Sequence, residues 1–386
     1  MQKKGFPFTP SAVAFVIALL ALVTAAPVQA AEPLKVFILS GQSNMQGHAK
    51  ITTFEHIGMD PKTAPLLKEM QSAGGKPTVC KDVYISYLSG SKGGPTEKNG
   101  ALTAGFGGGD DKIGPEFTFG LYMHKHLNEP ILLIKTAWGG KSLHTDFLSP
   151  SGRELRNGQE TGPYYKLMME HVKKVLADPG KYHPAYNKEA GYEIAGFVWF
   201  QGWNDMVNGG VYPQRGSKGG YDLYSKLFAH FIRDIRKELD APKLPFVIGV
   251  MGVGGPTKNY KSKRYVGIHQ NFRDAMAAPA AMPEFKDTVA AVLTENYWDA
   301  QLAELDARKG QIGAKIKAEE KKRKLSRDER TAFQEKLTNE LFKPEELKIL
   351  QAGKSNAGFH YMGSGKVLAQ IGKGFAEAMA ELMKKN

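Results

Sequence analysis

Six short apolar runs rich in β-branched residues recur along the chain, at 35–39, 83–87, 131–136, 194–200, 246–250 and 288–293. Within them apolar residues mostly follow one another instead of alternating with polar ones. A strand with one wet face alternates, whereas a strand covered on both faces does not. The pattern therefore predicts a mostly parallel sheet with helices on either side, an α/β fold. Between the runs, amphipathic spacing predicts helices over 115–126, 165–176, 221–239, 265–277 and 365–384.

Two stretches stand apart from this rhythm. Residues 53–114 are rich in Gly, Lys and Pro and read as long surface loops around one strand. Residues 300–350 are charged and nearly free of Gly after Gly313, which reads as one or two protruding helices, a charged helical insertion before the C-terminal segment. At the start, Lys3 and Lys4 precede an apolar run over 12–26, and Val28-Gln29-Ala30 offers small residues for cleavage. Residues 1–30 are thus expected to be a signal peptide. The mature chain, 31–386, is expected to be one domain, exported to the periplasm or secreted. No later segment is long and apolar enough to span a bilayer, so no membrane span is expected after cleavage.

Charge narrows the choice of partner. The 52 Lys and Arg residues against 39 Asp and Glu give a formal net charge of +13, which raises nucleic acid or an acidic glycan as candidates. The basic residues are scattered, however, and where they are densest, over 309–348, acids interleave with them as on a solvated helix face. No nucleic-acid partner is expected. What remains is an electrostatic bias toward acidic polysaccharide or an anionic surface. The single cysteine, Cys80, cannot form an internal disulfide, so stability must come from the core.

Candidate chemistry gathers at the ends of the apolar runs. The first leads directly into Ser40-Gly41-Gln42-Ser43-Asn44-Met45, where an open α/β sheet places its ligands. Gly41 allows a tight turn, and the following residues can start a helix whose free N–H groups, that of Ser43 included, face developing negative charge. The third run ends in Thr136-Ala137-Trp138-Gly139-Gly140-Lys141-Ser142 and the fourth in Trp199-Phe200-Gln201-Gly202-Trp203-Asn204-Asp205, both on the edge that carries Ser43. Gly139 or Gly140 lets a backbone N–H approach a substrate, and Asn204 supplies an amide donor. With the Ser43 N–H they make a three-donor oxyanion hole.

A serine hydroxyl also needs a base. Among ten histidines, His360 lies in a loop just before the last helix, able to fold over the same edge. His144 and Asp146, soon after Gly140, are candidates to line a pocket. His124 and His126 lie two apart on a predicted helix, on different faces, which does not suit a metal. Gly363-Ser364-Gly365-Lys366 and the Gly252, Gly254, Gly255 group each lack positions that a phosphate loop or dinucleotide fingerprint requires.

Taken in order, Gly41-Gln42-Ser43-Asn44-Met45, Trp138-Gly139-Gly140-Lys141-Ser142, Gln201-Gly202-Trp203-Asn204-Asp205 and the closing His360 resemble the four catalytic blocks of the SGNH hydrolases. Gln42 beside the serine is similar to the sialate O-acetylesterase and acetylxylan esterase branch, a carbohydrate-esterase group. The resemblance runs from about Lys35 to Leu382, apart from the insertion. It implies a three-layer α/β/α flavodoxin-like fold, Ser43 as nucleophile, His360 as base, and an oxyanion hole of the Ser43 N–H, Gly139 or Gly140, and Asn204. It further implies an acetylated carbohydrate as substrate, contacted by Gln42, Trp138, His144, Asp146, Gln201 and Trp203, with no metal and no organic cofactor. Two positions depart from the pattern. Trp203 stands where many of that branch carry Glu, and Ala357 stands where an Asp usually orients the histidine. The orienting role then falls either to Asn356 or to a carboxylate after the last strand, Glu295 or Asp299. A non-catalytic glycan-binding protein on the same scaffold, and an esterase for lipid or thioester substrates, are the competing readings.

Overall fold

The computed structural model describes residues 1–5, 32–91 and 94–385. The chain divides into two compact units, Met1–Ala31 and Glu32–Asn386, and the second carries the fold. The cleavable leader expected over 1–30 falls almost wholly outside the described residues.

The sheet has seven strands: β1 (Leu34–Gly41), β2 (Cys80–Ser91), β3 (Gly94–Leu102), β4 (Ile131–Ala137), β5 (Tyr192–Phe200), β6 (Phe246–Val250) and β7 (Val289–Leu293). Their spatial order is β3-β2-β4-β1-β5-β6-β7. All neighbours are parallel except β3, which runs antiparallel to β2. All six apolar runs therefore form strands, and β4, like β1 apart from Lys35, is buried end to end. Helices Glu116–Leu127 and Gly365–Met383 cover one face, where Phe119 meets Phe37 and Phe375 meets Phe200. Helices Pro163–Ala177, Asp222–Glu238 and Lys263–Ala277 cover the other, where Phe228 and Phe231 pack on Trp199. This is the three-layer flavodoxin-like arrangement. Starting from β1, the chain adds β4 on one side and β5 on the other, so the order reverses at β1. A crevice opens at such a reversal, outside the carboxyl ends of the strands.

Two regions differ from the sequence expectation. Residues 53–114 are not loops around one strand: they hold helices Phe54–Gly58 and Ala64–Met70 and the β2–β3 hairpin. The β3 residues GPTEKNGAL are mostly exposed, as an edge strand covered on one side allows, so no apolar run announces them. The insertion has three helices, not one or two: Ala300–Glu320, Arg327–Leu341 and Pro344–Gly353. The breaks have local causes. Ser326 and Glu329 form a reciprocal capping box, and Pro344 opens the third helix. Leu302, Leu305, Ile312, Ile316, Leu337, Phe342 and Leu350 give these helices a small apolar core of their own, joined by Met362. No helix among the described residues is long and apolar enough to cross a membrane.

Candidate active site

At the end of β1 the chain passes so close to β5 that a Cβ on Gly41 would fall 2.2 Å from the Phe200 carbonyl oxygen. Only glycine fits there, and it sends the chain straight into a one-turn helix, Ser43–Gln46. That helix ends at Gly47 in the left-handed region, φ 88°, with its N–H on the Ser43 carbonyl at 2.9 Å. Ser43 is its first residue, so its own N–H has no acceptor within the helix.

Gln42 fixes the neighbouring loop. Its Oε1 accepts from the Gly202 N–H at 3.0 Å and the Asn204 N–H at 3.4 Å, while its Nε2 donates to Asn204 Oδ1 at 3.2 Å. Holding the Asn204 oxygen leaves the Asn204 NH₂ as the free end of that amide. Gly139 borders Ser43 from the other side: a Cβ there would lie 3.8 Å from the Ser43 Cβ. Gly140 adopts φ 74°, a turn that favours glycine. The serine, two glycines and asparagine picked out by their order along the chain are thus brought to one edge by three successive strand ends.

The fourth segment closes over them. The Asn44 amide donates to the Phe359 carbonyl at 3.3 Å, which bonds the Ser43 helix to the loop that carries His360. His360 Nδ1 lies 3.0 Å from Asn356 Oδ1. An amide oxygen only accepts, so Nδ1 carries the hydrogen and Nε2 presents its lone pair. Burial, with the Lys112 charge adding to it, pulls His360 down to about 4, so the ring is neutral at pH 7. Glu295 and Asp299 are engaged elsewhere. Glu295 pairs with buried Arg273, which also ties down the Val253 and Gly255 carbonyls. Asp299 caps the helix Ala300–Glu320 through the Leu302 N–H at 2.9 Å and bonds Lys366 at 3.0 Å.

Of the six residues expected to contact a substrate, four are turned inward. Gln42, Gln201, Trp138 and His144 are all buried. Trp138 packs against Phe147 and Tyr164. His144 uses Nδ1 on Asp205 at 2.8 Å and faces Asn208 with Nε2 at 3.3 Å. Asp146 accepts from the N–H and hydroxyl of Ser142 at 2.8 and 2.9 Å, closing the loop from inside. Asp146 and Trp203 are partly exposed, and Trp203 lines a cavity.

Three residues acquire importance that their place in the sequence did not signal. Asp205, fully buried, accepts from Leu143 N–H, His144 N–H, Gln201 Nε2 and the Tyr212 hydroxyl, pinning the second loop to the third. Lys135, buried in β4, bonds the Gln46 carbonyl at 2.9 Å and so steadies the Ser43 helix from below. His48 stacks on His360, ring centroids 4.2 Å apart and planes 19° apart. No periodicity separates His48 from the other histidines; a clue, in retrospect, is its position two residues beyond the serine helix.

Comparison with known proteins follows this geometry. The family described as carbohydrate esterase, sialic acid-specific acetylesterase matches residues 33–282. A search of curated proteins gave no match. Among solved structures, a protein from Arabidopsis thaliana aligns with 18% identity over 68% of this chain and 86% of its own, TM-score 0.40. The carbohydrate acetylesterase XAC1771 from Xanthomonas citri aligns with 13% identity over 67% and 49%, TM-score 0.38. NanS aligns with 13% identity over 68% and 79%, TM-score 0.37.

Proposed function

The chain belongs to the carbohydrate esterase family of sialic acid-specific acetylesterases and is a carboxylic ester hydrolase, and on that premise we propose that it removes O-acetyl groups from carbohydrate through a Ser43–His360 acyl-enzyme. His360 Nε2 takes the Ser43 proton, and the alkoxide attacks the acetyl carbonyl. The resulting oxyanion is held by the Ser43 N–H, a Gly139 or Gly140 N–H, and the Asn204 amide. The sugar alcohol leaves with the proton from His360. Water then attacks the acetyl-serine and releases acetate.

One observation carries this reading: the Asn356–His360 bond, in a loop hydrogen-bonded to the serine helix. It supplies an orienter where Ala357 cannot, and so weighs against the glycan-binding alternative. The test is acetate release from acetylated oligosaccharides and from p-nitrophenyl acetate, by the natural protein and by Ser43→Ala. Activity surviving intact in Ser43→Ala would end the proposal. Export is part of the same proposal, supported by Lys3, Lys4 and the apolar run that follows. A mature N-terminus near Ala31 on the exported protein would agree with it.

Asn204→Ala is expected to lower kcat by about a hundredfold or more, the usual result of deleting one oxyanion donor. An unchanged kcat with a raised KM would make Asn204 a ground-state contact instead.

The pH profile should be displaced as well. Catalysis needs neutral His360, and its lowered value of about 4 puts the acid limb of kcat/KM well below the ordinary imidazole range near 6.5. Stability moves the same way. His48, His171, His269 and His360 are each lowered to about 4 by burial. The unfolded chain therefore binds more protons between pH 6.5 and 4, and stability, complete above that window, falls as the pH drops through it. Thermal melts across the window separate acid unfolding from titration of the base. An acid limb near 6.5 in folded protein would contradict the assignment.

A further inference from the structure

Beside the candidate site, on the same edge of the sheet, lies a cavity of 690 Å³ walled by segments that follow β5 and β6. Trp203 divides the two. It directly precedes Asn204, and its ring lies 5.8 Å from that of Phe359, the neighbour of His360. An acetyl group could fill only a small part of such a volume, which matches sites for whole small ligands of about 300–1,000 Å³. Apolar surface dominates the walls, with Trp203, Val253, Ile268 and half-exposed Tyr265 among them. Two cations complete the lining, Arg215 and Lys261, and no acidic residue does. Arg215 donates only to the carbonyls of Met206 and Val207, and Lys261 has no carboxylate partner among the described residues.

Resting on the esterase reading above, we propose that this cavity is a second sugar subsite, for a residue next to the acetylated one that bears an anionic group, carboxylate or sulfate. Aromatic rings offer their faces to the C–H faces of a pyranose, and the two unpaired cations offer charge-assisted bonds to its anion. The protein then acts on acetylated oligosaccharides or polymers of an acidic glycan, in preference to single acetylated sugars.

The experiment compares kcat/KM on three acetylated oligosaccharides of equal length: neutral xylo-oligosaccharide, one carrying glucuronate beside the acetylated residue, and one carrying a sulfate ester there. The natural protein should prefer at least one anionic substrate to the neutral one by about tenfold or more, and the preference should shrink as salt is added. Whichever anion is preferred identifies the source. Lys261→Glu, at an exposed position with no carboxylate partner among the described residues, should abolish or reverse the preference. Tyr265→Ala should lower kcat/KM on all three oligosaccharides. Equal rates on all three by the natural protein, or a preference untouched by Lys261→Glu, would overturn the subsite. If no acetate is released from any substrate, the esterase reading fails by itself. Calorimetry of Ser43→Ala with the deacetylated glucuronate oligosaccharide then still reads the subsite, and equal affinity for the neutral oligosaccharide would refute it.

Discussion

His360→Ala should lower kcat about as far as Ser43→Ala does, on the order of a millionfold, because base and nucleophile act as one unit. The same geometry limits what the two carboxylates can contribute. Asp299 spends its oxygens on a helix cap and a lysine, and Glu295 on buried Arg273. Glu295→Gln and Asp299→Asn are therefore expected to cost less than about tenfold each in kcat. A loss near ten-thousandfold in either, with folding and KM preserved, would identify a missing acid and displace Asn356. Asn356→Asp tests the point from the opposite side. A carboxylate against Nδ1 favours the imidazolium, so His360 should rise by about one unit or more and the acid limb should move to higher pH. Single-turnover kinetics across pH, run on the five variants together, would check all of this.

Lys135→Met should destabilise the fold by about 3–5 kcal/mol, since it leaves the Glu116 carboxylate buried without its partner. Both side chains are fully buried, with Nζ 2.6 Å from Oε2. Burial pushes Lys135 down and Glu116 up, each toward its neutral form. Nζ lies within hydrogen-bond distance of Glu116 Oε2 and the carbonyls of Gln46 and Phe106, so removing it strips three buried groups of their partner at once. Urea titration gives the measurement, and Lys135→Met combined with Glu116→Leu should cost less than Lys135→Met alone. Single variants within about 1 kcal/mol of the natural protein would show that the pair is no keystone.

The strands were legible because the interior ones are buried on both faces, and continuous apolar runs have few other causes in a chain of this length; Val289–Leu293, at the far edge and only partly buried, carries the same kind of apolar run. The edge strand Gly94–Leu102 was not, because its exposed residues need no apolar pattern to pair with β2. At the site, the serine, glycines and asparagine were legible as residue types placed at strand ends. The outward or inward turn of a side chain was not. Trp138 and His144 share a loop with Gly139, yet their direction depends also on Asp205 and Tyr164, which come from elsewhere in the sequence. The sequence offered Asn356, favoured as the local residue, and two distant carboxylates as orienters of His360. That the carboxylates are engaged by Arg273 and Lys366 is visible only in three dimensions.

Met362 belongs to the apolar core of the three-helix insertion, two residues from His360. Tyr361 and Met362 both take positive φ, 50° and 59°, conformations that side chains adopt only when their surroundings insist. The insertion therefore serves as a counterweight for the histidine loop. Replacing it with a flexible tether would strip Met362 of its packing and let that strained turn relax. The imidazole would then lose its alignment even if every residue of the sheet stayed in place. Sequence drift on the solvent face of the three helices carries no such penalty, whereas drift at Leu302, Leu305 or Ile316 would be felt at the proposed catalytic centre, which none of them touches.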